Sequence, residues 1–376
     1  MAKYYLNKKK SRVEFRKLVK SLRGKDPMML LQQEKNANAD KCLLMEIYSS
    51  LWLLGYLSCK ENLCMDSAVR MYKISSYYGN MSASAFGYAC FGGELIDKGE
   101  LELGSSFGKL ALELNRIYDN VELDCRVKLV FGLKICFHQY GLKKSADYLK
   151  EAYNAAVKCG DFIYAANAAI SLLYIRYIFG EKLENVKSAF DKARYAPQHK
   201  DFKTQSNLHM LSQDISNLMG AASDHAVGSF EDNGVKIRIK FLYYTFKAMQ
   251  CYIMEEYQLA LQYLDKVNCY LNIRDNNPLK MVCYYIYALT AAALFNSTGD
   301  SKFRNILTDM NEKLKAYKPA FGENGMCLLA EAEYCRVTGR DVKAMQLYEK
   351  ALQQADIDED RNLAALCSEL AFKYYL

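Results

Sequence analysis

Proline is scarce in this chain, with four copies in 376 residues. Hydrophobic residues make up 51% of the sequence and charged residues 25%. This composition excludes a disordered chain, because it supplies enough apolar surface to form a core. The length is sufficient for two domains or for one continuous repeat array, so length alone does not choose between them.

Motifs for binding metals and forming disulfides are also missing. The histidines have no HExxH or comparable ligand spacing, so we predict no metal site. The four histidines are His138, His199, His209 and His225. The 13 cysteines are scattered singly, and the closest pair in sequence, Cys59 and Cys64, is not a CxxC motif. We therefore predict mostly buried thiols in a reducing compartment.

The sequence also lacks signals for export or membrane insertion. Lysines recur through the first 25 residues, where a signal peptide would carry an apolar segment. The longest uncharged apolar run, Met281 to Phe295, has 15 residues, and a membrane span needs about 20. We predict a cytoplasmic protein without a transmembrane helix.

No catalytic motif is apparent. The nearest match to a phosphate-binding loop, Gly104 to Leu110, has one residue too few between its glycines and ends in Leu where Ser or Thr would bind Mg²⁺. We predict that this stretch is part of an ordinary helix. Cys136 and His138 are two apart, so on one helix they point in different directions. The acidic groups Glu255-Glu256 and Asp358-Glu359-Asp360 fall at predicted turns, so we expect their side chains to be exposed to solvent. We predict no catalytic residue, no cofactor and no enzymatic activity.

Positive charge is concentrated at the N-terminus. Residues 1–25 contain ten Lys or Arg and one acidic residue, Glu14, which gives a charge of +9. The total charge of +7 therefore leaves −2 for residues 26–376. We predict two parts, a basic amphipathic arm over residues 1–25 and a helical-repeat array over residues 26–376.

Within the arm, Ser11 to Leu22 is expected to form an amphipathic helix that follows a flexible cluster, Lys8 to Lys10. Its apolar stripe consists of Phe15, Leu18, Val19 and Leu22. The cationic face is either solvated on an end-capping helix or contacts an anionic membrane, nucleic acid or an acidic protein. The candidate contact residues are Lys8, Lys9, Lys10, Arg12, Arg16, Lys17, Lys20 and Arg23.

Turn residues recur along the chain with a step of about 20 residues. We call this regular series of turn positions the ladder. Its glycines are Gly79, Gly99, Gly160, Gly180, Gly220, Gly299 and Gly339. Other helix breakers hold most of the remaining positions: Asp119-Asn120, Gly141, Pro197 with His199, Asn276-Asn277-Pro278, Pro319 and Asp358-Glu359-Asp360. The position near 239 fits least well, since Asn233-Gly234 is displaced from it by several residues. The segments between them show apolar residues at intervals of three and four, which predicts helices.

Helices of this length joined by short turns predict antiparallel hairpins, and a repeat of about 40 residues predicts an all-α, tetratricopeptide-like α-solenoid. The pattern is clearest where small and aromatic residues stand at positions of close helix approach. These are Ala332, Gly339, Ala344, Tyr348 and Ala351, with a fainter copy at Ala248, Ala260, Leu264 and Val267. The 30 tyrosines, including Tyr243-Tyr244 and Tyr284-Tyr285, are expected mainly to fill holes between helices rather than to stack on ligands.

Five stretches of the chain have a pattern in common with a known family: YYGNMSASAFGYACFG (77–92), FGKLALEL (107–114), SADYLKEAYNAAVKCGDFIYAANA (145–168), EAEYCRVTGRDVKAMQLYEKAL (331–352) and SELAFKYYL (368–376). On these stretches the chain from about Asp26 onward resembles the helical-repeat region of large bacterial signalling kinases. In these proteins an AAA-type ATPase precedes the repeats and a GAF plus histidine-kinase unit follows, often with a serine/threonine-kinase domain in front.

The family's ATPase, HRD, DFG and phospho-acceptor histidine motifs do not occur here, so its catalytic activities carry over to no residue. The resemblance implies a protein-interaction and regulatory scaffold of a signalling system, which binds a protein partner along its repeat surface. One alternative is a coupling segment of a larger ATPase and sensor kinase. Another is a freestanding bacterial effector or regulator, whose residues 1–25 bind nucleic acid or anionic membrane.

Overall fold

A computed structural model describes residues 8–195, 215–216, 237–271, 278–317 and 323–375. Over these residues the protein is all-α, as predicted, and the described part contains no β-strand; Lys35 and Asn80 form an isolated bridge. The helices of the first half are α1 (Lys8–Leu22), α2 (Ala39–Leu57), α3 (Glu61–Tyr78), α4 (Ser84–Ile96), α5 (Leu101–Tyr118), α6 (Val121–Val130), α7 (Phe137–Cys159), α8 (Phe162–Ile178) and α9 (Leu183–Tyr195). Those of the second half are α10 (Ile237–Ile253), α11 (Tyr257–Leu271), α12 (Pro278–Thr298), α13 (Ser301–Leu314), α14 (Gly325–Val337), α15 (Asp341–Asp358) and α16 (Arg361–Tyr375).

Shorter helical elements complete the described chain. Two 3-10 turns lie at Pro27–Gln32 and Lys315–Tyr317. A π-helical turn, Phe131–Cys136, joins α6 to α7 without a loop. Gly141 interrupts the regular geometry of α7 with φ 79° and ψ 179°.

The turns confirm the ladder that the sequence predicts. Positive φ occurs at eight glycines, seven of them at predicted turns, and at Asp119 and Glu359, which occupy turn positions without glycine. Cys59 also has positive φ and extends the ladder by one step towards the N-terminus. Pro278 is the first residue of α12, where its missing N–H costs no helical hydrogen bond. The predicted turns that lie outside the described residues are Pro197 with His199, Gly220, Asn233-Gly234, Asn276-Asn277 and Pro319.

The chain divides into two compact units, and their division differs from the predicted boundary at residue 25. The described part of the first unit comprises residues 8–139 and 144–168. That of the second comprises 140–143, 169–195, 215–216, 237–271, 278–317 and 323–375. Helix α1 belongs to the first unit because its apolar side is part of that unit's core.

Within each unit, helices that follow each other in sequence pack together. In the first unit the main pairs are α2 with α3 and α4 with α5, and α4 also contacts both α2 and α6. In the second they are α10 with α11, α12 with α13 and α14 with α15. Alternate helices touch there as well, since α12 contacts both α10 and α14.

The residues that suggested close helix approach are buried. Ala332, Ala344 and Ala351 are fully buried, and Tyr348 packs beside them on α15. Ala248, Ala260, Leu264 and Val267 of the fainter copy are also fully buried. Tyr243, Tyr284 and Tyr285 lie in the core, in agreement with their expected packing role.

The stretch that was compared with a phosphate-binding loop lies inside helix α5, as expected. Its glycines allow α5 to approach its neighbours. A Cβ atom on Gly104 would lie 2.8 Å from the carbonyl oxygen of Gly92 on α4, and one on Gly108 would lie 2.9 Å from Ile135 and Phe131. These glycines therefore serve helix packing.

Helix α1 is anchored to the rest of its unit. Phe15, Val19 and Leu22 are buried, and the Phe15 ring contacts Phe91 of α4 at a centroid distance of 5.9 Å. The prediction of a flexible Lys8–Lys10 cluster is wrong, since α1 begins at Lys8. The described part of the arm is thus a docked helix, because Phe15, Val19 and Leu22 of its apolar stripe are buried in the core of the first unit.

Helix α16 meets the end of α8 within the second unit. The Asn362 side chain donates to the carbonyl oxygens of Tyr177 at 3.0 Å and Ile178 at 3.1 Å. The backbone N–H of Arg361 donates to Phe179 O at 3.1 Å. The carbonyls of Ile178 and Phe179 thereby gain a donor, and that of Tyr177 gains a second one beside the N–H of Gly180 at 3.0 Å; the bonds join segments more than 180 residues apart.

Helix α12 is the one described helix that is long and apolar enough to cross a membrane. However, 83% of its most apolar 18-residue window is buried inside the protein. Such burial is typical of the central helix of a protein core.

Candidate functional site

An open cleft of about 690 Å³ lies in the first unit, where α5, α6 and α7 meet. Its walls combine apolar, amide and charged side chains. The lining residues are Leu112, Asn115, Arg116, Asp119, Asn120, Val121, Asp124, Lys128, Tyr148, Glu151, Asn154, Ala155 and Lys158. Sequence reasoning did not identify this cleft, because its residues come from three helices and no motif joins them.

The tight turn between α5 and α6 forms one end of the cleft. Asp119 occupies this turn in the left-handed conformation, with φ 46° and ψ 44°. The side chain of Asn120 then caps α6 by accepting a hydrogen bond from the N–H of Leu123 at 3.0 Å. The sequence Asp-Asn at this ladder position therefore fixes the direction in which α6 leaves the turn.

A polar network connects the three helices beneath the cleft. The side-chain amide of Asn115 donates to Asp124 at 3.0 Å, which joins α5 to α6. Lys128 bridges Asp124 at 2.8 Å and Glu151 of α7 at 3.1 Å. Burial lowers the pKa of Lys128, but the bonds to the two carboxylates outweigh it and raise the pKa overall. Lys128 therefore stays charged and holds α6 to α7.

Three groups of the cleft are available to a ligand. Asp119, Asn154 and Lys158 are exposed, and within the described chain Asp119 and Lys158 have no ion-pair partner. Deeper in, the Asn115 side-chain oxygen is buried and accepts no hydrogen bond. The lining contains three acids and three bases, so its formal charge is zero. A surface of this kind suits a peptide-like ligand with both donors and acceptors better than a highly charged polymer.

The predicted anion-contact residues lie on the outer side of α1. Arg12, Arg16, Lys17 and Lys20 are exposed and have no ion-pair partner within the described residues. Arg23 instead pairs with Glu100 at 2.5 Å. The side chains of Lys8, Lys9 and Lys10 lie outside the described part of the structure, although their backbone is helical. We call the four residues Arg12, Arg16, Lys17 and Lys20 the α1 cationic face.

The acidic turn before α16 differs from its prediction. Glu359 is exposed, but Asp360 is only 2% exposed, so the expectation of solvated acids is wrong for this residue. Its carboxylate caps α16 by accepting from the N–H of Leu363 at 2.9 Å. Burial, with a smaller contribution from the nearby carboxylate of Asp358, raises the pKa of Asp360 to about 7.

The 12 cysteines whose side chains the structure describes are free thiols. Burial raises the pKa of Cys136 to about 12, which keeps this thiol neutral and unsuited to nucleophilic attack. The structure also brings together Cys125 of α6 and Cys159 of α7, with a sulfur–sulfur distance of 4.0 Å. Their separation of 34 residues gave no signal of this contact in the sequence.

The described residues contain no group of three or more His, Cys, Asp or Glu side chains placed to hold a metal ion. No protein-family model matches the chain, and no curated protein matches it.

Proposed function

We propose that this chain is a non-catalytic scaffold of a signalling system, which binds a protein partner. We further propose that its helices form tetratricopeptide-like hairpins with a repeat of about 40 residues. Two features support the repeat: turns recur about every 20 residues, and α12 contacts α10 and α14 as well as its sequence neighbours. One contact differs from those of an open solenoid, in which each repeat touches only its neighbours. It is the set of hydrogen bonds between the end of α8 and α16.

The observation that carries the proposed function is the cleft between α5, α6 and α7. Its neutral charge balance, its apolar walls and its unpaired Asp119 and Lys158 are suited to an extended segment of a partner protein. The free thiols support a reducing, cytoplasmic setting for this interaction. The resemblance to repeat regions of sensor kinases supports a role in signalling, either as a separate scaffold or as the coupling segment of a larger kinase.

Photo-crosslinking tests partner binding in the cleft. A photoreactive amino acid at Asn154, which is exposed in the cleft, is expected to form a covalent adduct with a protein from native lysate. The matched control is the same amino acid at Lys109, which is exposed on α5 outside the cleft. Adducts of equal yield at the two positions would contradict a cleft-specific partner.

Two substitutions that remove single charges test the same interaction without changing the fold. Asp119→Asn removes the charge and keeps a residue that tolerates the left-handed conformation. Lys158→Gln removes the opposite charge. Because both side chains are exposed and unpaired, we expect unchanged thermal unfolding and a lower adduct yield. A full yield from both variants would show that the charges of the cleft do not recognise the partner.

A second candidate function is binding of nucleic acid or anionic membrane by the α1 cationic face. It is favoured by the four unpaired cations, which α1 holds on a docked helix rather than on a mobile tail. Since Phe15, Val19 and Leu22 are buried in the core, this helix has no free apolar side to insert into lipid. Binding to a phosphate backbone is therefore the form that these residues support best.

Salt-dependent binding to a short DNA or RNA duplex tests this second candidate. The triple variant Arg16→Gln, Lys17→Gln, Lys20→Gln is expected to bind more weakly and with a flatter salt dependence, by about 0.9 in log–log slope per lost phosphate contact. The matched control removes three exposed lysines elsewhere, Lys60, Lys109 and Lys158. Equal loss in both triple variants would indicate an effect of net charge alone, and binding only to anionic vesicles would favour membrane.

A further inference from the structure

Helix α2 is apolar on two opposite sides, and only one of them is buried. Met45, Trp52 and Tyr56 face the core, with Ser49 between them. On the other side Leu43 is 57% exposed, Leu44 36%, Ile47 44% and Leu54 58%, and Leu51 is partly exposed. An apolar side of a helix is normally covered by another element or by a partner. We call the four residues Leu44, Ile47, Leu51 and Leu54 the α2 stripe.

The spacing of the α2 stripe is that of a helix–helix seam. Its residues follow at intervals of three, four and three, which is the repeat of positions that interlock between two packed helices. This repeat differs from a random scatter of exposed apolar residues, which is normal on any protein surface. The stripe is therefore shaped to receive one further helix.

The same spacing is symmetrical about its centre. If a second copy of α2 runs antiparallel to the first, Leu44 of one copy lies opposite Leu54 of the other, and Ile47 lies opposite Leu51. All four positions of both copies are then filled by aliphatic side chains. Such self-complementarity is what a two-fold dimer requires, because each copy contributes the same surface.

The charges at the two ends of the stripe match this arrangement. Asp40 lies in the first turn of α2, and Lys60 lies in the turn that leads from α2 to α3, three residues after Leu57. Both are exposed and have no ion-pair partner within the described residues. In the antiparallel pair Asp40 lies opposite residue 58, which is within one turn of Lys60 of the other copy. Two Asp40–Lys60 pairs would thus form, one at each end.

We propose that two copies of this chain associate through an antiparallel contact between their α2 stripes. The 19 residues of α2 give a seam about 28 Å long. One helix pair of this length buries less than the roughly 800 Å² per partner of a standard interface. The dimer is therefore concentration-dependent, with a dissociation constant on the order of micromolar or weaker. The proposal is independent of the cleft, which lies on α5, α6 and α7.

Analytical ultracentrifugation of the full chain across a range of concentrations tests the dimer. Wild type is expected to pass from monomer to dimer. Ile47→Glu and Leu54→Glu are each expected to raise the dissociation constant at least about tenfold, because each would place an unpaired charge in the seam. Ile357→Glu, at a residue that is 70% exposed on α15, is the matched control and should leave the dimer unchanged.

Mixing two charge variants tests the register. Ile47→Glu and Leu51→Lys, each weakened alone, are expected to form a dimer when mixed, because the two positions face each other across the seam. Ile47→Glu mixed with Leu44→Lys should not recover in this way. Far-UV circular dichroism confirms the fold of each variant, since Ile47 and Leu44 are exposed.

A wild-type chain that stays monomeric at all concentrations would overturn the proposal. So would a dimer that all the glutamate variants leave intact, since the contact would then lie elsewhere. Recovery with Leu44→Lys rather than Leu51→Lys would overturn the antiparallel register.

Discussion

Asp360 shows how burial changes the chemistry of a single residue. It caps α16 with its carboxylate, yet burial raises its pKa to about 7 from an ordinary value of 3.8. Between these two pH values the folded state holds a proton that the unfolded chain has lost. The free energy of unfolding therefore falls as pH rises through this window, and the stabilisation is complete only below the unfolded pKa.

Asp360→Asn is expected to remove this pH dependence. Asparagine keeps a cap acceptor but cannot ionise, so the variant should gain stability relative to wild type as pH rises from about 4 to 8. The relative gain is at most about 4 kcal/mol, since each pKa unit corresponds to about 1.4 kcal/mol. Urea unfolding of both proteins at several pH values measures it.

Glu359→Gln is the control for this experiment. Glu359 is exposed, and its pair with Lys143 at 3.2 Å is solvated, so its removal should alter the pH profile little. Parallel pH profiles for wild type and Asp360→Asn would show that the carboxyl of Asp360 ionises as it does in water.

At the scale of single helices, the contact between α4 and α5 depends on a pair of glycines. A Cβ atom on Gly104 would meet both the Gly92 carbonyl oxygen at 2.8 Å and Ile96 side-chain atoms at 2.8 and 2.9 Å. The approach is therefore closer than any residue with a side chain allows. The low helix propensity of glycine is tolerated here because the packing compensates for it.

Gly104→Ala is expected to destabilise the protein by about 1–3 kcal/mol from overpacking, partly offset by about 1 kcal/mol of helix propensity. Lys109→Ala, on the exposed side of the same helix, is the control and should be nearly neutral. Equilibrium denaturation of both variants measures the difference. A more stable Gly104→Ala variant would mean that α4 and α5 separate without cost.

Helices and turns were predictable from the sequence because their signals are local. The ladder of turn residues placed most of the described turns, and the alanines at 332, 344 and 351 marked buried helix contacts. The cleft could not be predicted in this way. Its network requires Asn115, Asp124 and Glu151 from three helices, and only the folded chain brings them together. The burial of Asp360 was missed for the same reason, since acids at a turn are ordinarily solvated.

At the scale of the whole molecule, the second unit is held by contacts between its first and last described helices. Asn362 donates two hydrogen bonds to the end of α8, and Gly180 lies so close that a Cβ atom there would meet the backbone nitrogen of Asn362 at 2.8 Å. These contacts add donors to backbone carbonyl groups at the C-terminal end of α8, where a helix leaves its last carbonyls without intrahelical partners.

Asn362→Ala is expected to cost about 1–3 kcal/mol, because it removes the side-chain donor of the partly buried Ile178 carbonyl and leaves the Tyr177 carbonyl with the N–H of Gly180 alone. Hydrogen exchange should accelerate in the last turn of α8, more than 180 residues away in sequence. Ser368→Ala, at an exposed position of α16, is the control. Unchanged exchange in α8 would show that water replaces the Asn362 donors without loss.

The junction between α8 and α16 also sets an order of events during synthesis. A nascent chain folds its early helices as they leave the ribosome, since contacts between neighbouring helices need only nearby residues. The end of α8 cannot acquire the donors that Arg361 and Asn362 supply until these two residues have been translated. While the intervening residues are made, the last turn of α8 lacks these donors, and the second unit completes this junction only with its final described helix.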